Sequence, residues 1–173
     1  MLKLIRSMSE LNFSSLMTVY SESNALNGQE QYGCYPESEQ LHLAEMDFYH
    51  YLHSVFFRQP DSFYAVWDSP LGYLSALRIE PYQDGYLLCA LETSPLNRKK
   101  GYARNLIKSV QNYLAEQGSG VLYSHISKKN TGSLAVHKAC GFEIVKDYAV
   151  YSDGSVLQNN YTLAYPYRKS EIL

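Results

Sequence analysis

The spacing of apolar residues changes period at Gln59-Pro60-Asp61, and this divides a helical amino-terminal third from a strand-rich centre. Upstream, Phe13, Leu16, Met17 and Tyr20, and then Leu41, Ala44, Phe48, Leu52 and Val55, recur three or four residues apart, the mark of helices with one apolar face. The spacing predicts one helix opened by Ser9 as N-cap and a longer one from Ser38 to Phe57, with Gly28 to Pro36 as the loop between them. Downstream, Ser62 to Trp67, Gly72 to Ile79 and Tyr86 to Glu92 read as strands, separated only by Ser-Pro and Asp84-Gly85 turn signals. Strands joined this closely pair as an antiparallel meander.

The remaining elements follow from the same rules. Leu2 to Arg6 is an expected short strand. Tyr102 to Glu116 carries Ala103, Leu106, Ile107, Val110 and Leu114 on one helical face, and Gly118-Ser119-Gly120 ends it. Val121 to Ile126 is a strand and Thr131 to Cys140 a short helix stopped by Gly141. Ile144 to Tyr151 and Val156 to Tyr165 flank Asp153-Gly154, a two-residue hairpin signal. No repeat or linker-like tract interrupts this order, so residues 1–173 are expected to form a single domain.

Composition narrows the class. The three cysteines, Cys34, Cys89 and Cys140, are scattered without CxxC spacing, which argues against a disulfide framework and for a reducing, cytoplasmic setting. The longest apolar runs, such as Tyr86 to Leu91, fall far short of the ~20 residues of a membrane helix, so no membrane partner is expected. A net charge of -2 with only a local basic run argues against nucleic acid. The charge is nevertheless segregated. From Ser21 to Phe57 there are six acidic residues and no Lys or Arg, whereas Ser94 to Leu114 holds Arg98, Lys99, Lys100, Arg104 and Lys108 and no acid. Asp47, His50 and His53, spaced by threes, are read as a solvated helix face, and no metal site is expected.

The most informative segment is Thr93-Ser-Pro-Leu-Asn-Arg-Lys-Lys-Gly-Tyr-Ala103, between a strand and a helix. The first turn of a helix has unpaired N–H groups and the positive end of the dipole, and both attract an anion. Gly101 permits close approach and the three basic residues add charge, so a pyrophosphate is the natural ligand class. The loop is not a Walker A motif, since no Gly-Lys-Ser/Thr follows, and it has only one of the three Rossmann glycines.

These residues also carry a family resemblance. Arg98-x-x-Gly101-x-Ala103 resembles the acetyl-CoA loop of the GNAT superfamily of N-acetyltransferases, and Asn130-Thr-Gly-Ser133-Leu-Ala-Val136-His137-Lys-Ala-Cys-Gly141-Phe142 is similar to the family's segment after the fifth strand. The resemblance implies an α+β fold: a mixed, mostly antiparallel sheet of six to seven strands flanked by helices, with splayed strands 4 and 5. It implies transfer of an acetyl group from acetyl-CoA, the cosubstrate, to a primary amine of a small molecule or peptide by direct attack. A non-catalytic CoA-binding or regulatory domain is the alternative. The family reading admits a homodimer. Thr93, Arg98, Lys99, Lys100, Gly101, Tyr102, Ala103 and Asn130 would contact the cofactor, Asn130 having helix capping as its other reading. His137 stands where most members place a Tyr as general acid toward the departing thiolate, and packing is its other reading. Glu92 is the remaining carboxylate on the fourth strand for the role of general base, provided that its face of the strand is the one toward the cleft.

Overall fold

A computed structural model describes residues 1–169. Its nine strands are β1 (Leu2–Ile5), β2 (Phe63–Ser69), β3 (Gly72–Tyr82), β4 (Gly85–Thr93), β5 (Gly120–Ser127), β6 (Glu143–Lys146), β7 (Ala149–Val150), β8 (Val156–Leu157) and β9 (Asn160–Tyr167). Seven of them form one sheet in the order β1-β2-β3-β4-β5-β9-β6. Every neighbouring pair is antiparallel except β4 with β5. This is the mixed, mostly antiparallel sheet expected, and its parallel step is made possible by the helix α4 (Tyr102–Gln117), which carries the chain back across the sheet.

Alternation along the strands buries both faces. On one, Leu77, Ile79, Leu88 and Leu122 pack against Leu106, Ile107, Val110 and Leu114 of α4. On the other, Tyr64, Val66, Tyr73 and Ala76 meet Leu16 of α1 (Phe13–Val19) and Leu52 of α3 (Glu37–Ser54), with Phe56 just beyond. None of the described helices is long and apolar enough to cross a membrane.

Several boundaries differ from the sequence reading. Asn12, not Ser9, caps α1: its Oδ1 accepts the Ser15 N–H at 3.0 Å, while Met8–Glu10 form a separate 3-10 turn. The expected loop from Gly28 is instead helical through Tyr32, as part of α2 (Ser21–Tyr32). Gly28 is there for contact: a Cβ at this position would lie 2.6 Å from the Gln40 carbonyl oxygen on α3. Gly28→Ala should therefore force α2 and α3 apart and destabilise the protein by about 1–3 kcal/mol despite better helix propensity. Unchanged urea stability in that variant would contradict this packing. The carboxy-terminal hairpin is also subdivided: β7 and β8 pair with each other around Asp153-Gly154, and β6 and β9 pair within the main sheet.

One irregularity shapes the site. Arg78 pairs with Cys89 and Ala76 with Glu92, so two steps on β3 are matched by three on β4. Ala90 and Leu91 form the bulge, with Ala90 at φ 50°. A bulge bends its strand. The β4–β5 ladder accordingly stops at Leu88 and Ser124, although β4 continues to Thr93 and β5 to Ser127.

Candidate active site

Beyond Leu88 the strands diverge, and the opening continues into a cleft of about 970 Å³ between α4 and α5 (Thr131–Ala139). Glu92, Thr93, Arg98, Lys99, Lys100, Gly101, Tyr102, Ala103 and Asn130 all line it. Gly101 precedes α4 with φ 84°, and the first intrahelical bond runs from Asn105 N–H to its carbonyl at 3.0 Å. The amides of Tyr102, Ala103 and Arg104 thus have no intrahelical partner. A Cβ on Gly101 would meet nothing within 4 Å, so open space adjoins these donors. Such a cradle suits a phosphate.

The basic side chains are disposed unequally. Lys100 Nζ folds back to the Leu96 carbonyl at 3.1 Å and to Asn97 Oδ1 at 3.2 Å. Arg98 turns to α2, where its Nη2 lies 2.7 Å from Glu22 Oε2 in an exposed ion pair. Arg98 thereby ties the loop to α2, and the anion-binding potential of the loop rests mainly on its backbone and on Lys99 and Lys100. Asn130 caps α5, its Oδ1 accepting the Ser133 N–H at 3.0 Å, and the residue also borders the cleft.

Glu92 occupies a junction. With an unbroken strand, Cys89 and Glu92 would face opposite ways; the extra residue of the bulge returns Glu92 to the face that carries Ala76 and Arg78. It lines the large cleft and also a second cavity of about 340 Å³ beneath α2 and α3, bordered by Tyr20, Ser23, Asn24, Tyr51 and Arg78. Its backbone is held from behind by hydroxyls, Thr93 Oγ1 donating to Ser75 Oγ at 3.1 Å and Ser75 Oγ donating to the Glu92 carbonyl at 2.7 Å. Burial raises the Glu92 carboxyl above the ordinary carboxylate range, opposed by a hydrogen bond from Ser23 and the charge of Arg98. A carboxylate so placed is more basic than one in water.

His137 lies next to the cleft, lining a small cavity of about 170 Å³ with Leu88, Ala90, Ser124, Asn130 and Ser133. Its Nδ1 stands 2.9 Å from the Ser133 carbonyl, an acceptor, so the proton resides on Nδ1. Nε2 is buried without a hydrogen-bond partner, and the ring packs edge-on against Phe142. Burial lowers its pKa, only partly offset by the bond to Ser133. The expected role as general acid requires a second proton on Nε2, which this environment disfavours. His125, lining the same small cavity, is likewise lowered by burial.

Stability should reflect these two rings. An unfolded histidine titrates near ~6.5, whereas the folded rings accept protons only at lower pH. Unfolding free energy should hence be insensitive to their titration above pH ~6.5 and fall as the pH drops from there through the folded pKa values. Urea midpoints should show a decline from pH 7.5 to pH 5.5 that is smaller in His137→Gln, and an identical decline in both proteins would contradict this.

The other candidates take structural places. Asp47 accepts a hydrogen bond from the Tyr32 hydroxyl, while His50 and His53 pack around the Tyr49 ring. Among the described residues no group of three His, Cys, Asp or Glu could hold a metal ion. Sequence reasoning missed the second cavity. Its α2 wall, Ser23, Asn24, Asn27 and Gln31, is a polar stripe on a helix whose extent the sequence reading did not place. Arg78, a lone charge between Leu77 and Ile79 of a central strand, was the available signal for the opposite wall.

Residues 25–142 match the family model described as "Acetyltransferase (GNAT) family". No curated protein matches the chain. Solved structures match it along nearly its whole length. The PaiA N-acetyltransferase of Thermoplasma acidophilum, in complex with coenzyme A, is 11% identical with a TM-score of 0.65, over 96% of this chain and 99% of that one. The ribosomal-protein-S18-alanine N-acetyltransferase of Escherichia coli is 14% identical with a TM-score of 0.61, over 99% and 97%. A phosphinothricin acetyltransferase of Sinorhizobium meliloti, in complex with AcCoA, is 20% identical with a TM-score of 0.61, over 96% and 89%. At such identities the likeness is one of fold.

Proposed function

Because the chain belongs to the GNAT acetyltransferase family, we propose that it transfers the acetyl group of acetyl-CoA to a primary amine of a small molecule or peptide by direct attack. The observation that carries this reading is Glu92, a half-buried carboxylate shared by the cleft and the second cavity. A domain that only bound CoA would have no need of a basic group between two chambers.

The residues fit the cosubstrate. The amides of Tyr102, Ala103 and Arg104, with Lys99 and Lys100, would hold its phosphates beside Gly101, and the edge of β4 beyond the end of its ladder with β5 would offer backbone partners for an extended arm. Acetyl-CoA supplies a thioester carbonyl open to attack. Glu92 takes the proton that the ammonium must lose before its nitrogen can attack, and burial makes it a better acceptor than an exposed carboxylate. Holding the amine against the acyl carbon removes much of the entropic barrier to a bimolecular step. The nitrogen forms its bond to the acyl carbon as the C–S bond breaks, the nitrogen gives up its second proton to solvent, and the thiolate leaves with a proton drawn from solvent. His137, neutral and bonded through Nδ1, shapes the wall of this gap.

Mass spectrometry of an amine mixture before and after incubation with acetyl-CoA tests the proposal. Acetylation on nitrogen, dependent on the protein, is expected. Tight acetyl-CoA binding with every amine unchanged would favour the non-catalytic alternative.

A further inference from the structure

The second cavity is bordered by a largely buried cation, Arg78, whose Nε has no hydrogen-bond partner. Arg78 rises from β3 with its side chain 18% exposed. Its guanidinium carbon lies 5.0 Å from the Tyr51 ring centroid and 5.7 Å from that of Phe56. Its Nε is buried without a hydrogen bond, and its ion pair with Glu80 is loose, with Oε1 3.7 Å away, beyond hydrogen-bond range. Desolvating a guanidinium costs free energy that only a well-placed anion recovers. Tyr51 and Phe56 flank the group at cation–π distance, and a guanidinium fork is shaped for a planar two-oxygen acceptor.

Register sets how far this fork stands from the base. Glu92 pairs with Ala76, and Arg78 is the next residue of β3 on the same face. Diagonal neighbours of this kind are about 7–8 Å apart at the backbone. Both side chains border one cavity of about 340 Å³, whose other wall presents Ser23, Asn24 and Asn27 of α2. An amine at Glu92 and a carboxylate at Arg78 are then a few bonds apart on one small molecule.

We propose that the acetyl acceptor is an amino acid, whose free carboxylate is held by Arg78 while its amine faces Glu92. The inference rests on the reading of the protein as an acetyltransferase and adds the acceptor class to it. Arg78 is a specificity residue: it binds the acceptor and leaves the proton transfer to Glu92. The acidic surface of α2 and α3 does not oppose this, because a zwitterion has no net charge to repel.

The test compares matched acceptors. A panel of amino acids, their carboxamides and the corresponding decarboxylated amines is assayed by thiol release with wild type, Arg78→Met and Arg78→Lys, and acetyl-CoA binding to each protein is followed by calorimetry. Wild type should favour acids over carboxamides by about 10²-fold in kcat/KM, since a site built around a hydrogen-bonding group rejects analogues that lack it. Arg78→Met should bring that ratio close to one, Arg78→Lys should keep part of it, and all three proteins should bind acetyl-CoA alike. Wild type using carboxamides and simple amines as well as acids, with acetyl-CoA bound and consumed, overturns the inference and leaves the transferase reading intact. Failure to bind acetyl-CoA or to acetylate any amine overturns both. Should Arg78→Met not fold, the wild-type ratio of acid to carboxamide decides alone.

Discussion

Glu92→Gln is expected to lower kcat by about 10³-fold while acetyl-CoA affinity stays within about twofold. Glutamine keeps the shape and the hydrogen-bonding reach of the side chain but cannot accept the amine's proton, so the loss should fall on the chemical step. The half-buried position of Glu92 gives the effect a pH signature. Its carboxylate form is the active one, so wild-type activity should rise with pH along a limb lying above the ordinary carboxylate range, and the variant should lose this limb. A variant that retains both rate and limb would assign proton removal to another group or to water.

Gly101→Glu should weaken acetyl-CoA binding by about 10³-fold and abolish the rise in Tm that the cosubstrate gives the wild type. Two effects combine. A non-glycine residue at φ 84° is strained by about 1–2 kcal/mol, and a carboxylate placed among the α4 amides repels phosphate by several kcal/mol. Gly101→Ala separates the two, because its Cβ enters open space and carries no charge. The alanine variant should bind acetyl-CoA with far less loss. Equal affinity for acetyl-CoA in the glutamate variant and the wild type would move the phosphate site elsewhere.

The legible and illegible parts of this molecule differ in their physics. The central strands and α4 were readable because each buries one or both faces over many residues, and the alternation or three-to-four spacing of Leu, Ile and Val reports burial directly. The position of the basic loop was readable because its glycine and cations stand together immediately before a helical apolar face. Gly28 misled because a glycine needed for close helix contact carries the same letter as one needed for a turn. The bulge left no trace: Leu87-Leu88-Cys89-Ala90-Leu91 is apolar throughout, so an extra residue breaks no visible alternation, and Ala90 reaches positive φ without a glycine. The face of Glu92 depends on that one residue, which is why the proposed base could be named from the sequence but not oriented. For His137 the motif fixed the position, and only packing against Phe142 and Ser133 determined its protonation.

The central claim is acetyl transfer to an amine at the cleft that opens where β4 and β5 diverge, and amine-dependent release of CoA measures it most directly. With wild-type protein and acetyl-CoA, free thiol should appear slowly alone, accelerate on adding an amino acid, and match the acetylated product mole for mole. Thiol release that is unaffected by any amine, or that yields acetate in place of an N-acetyl product, would contradict the account.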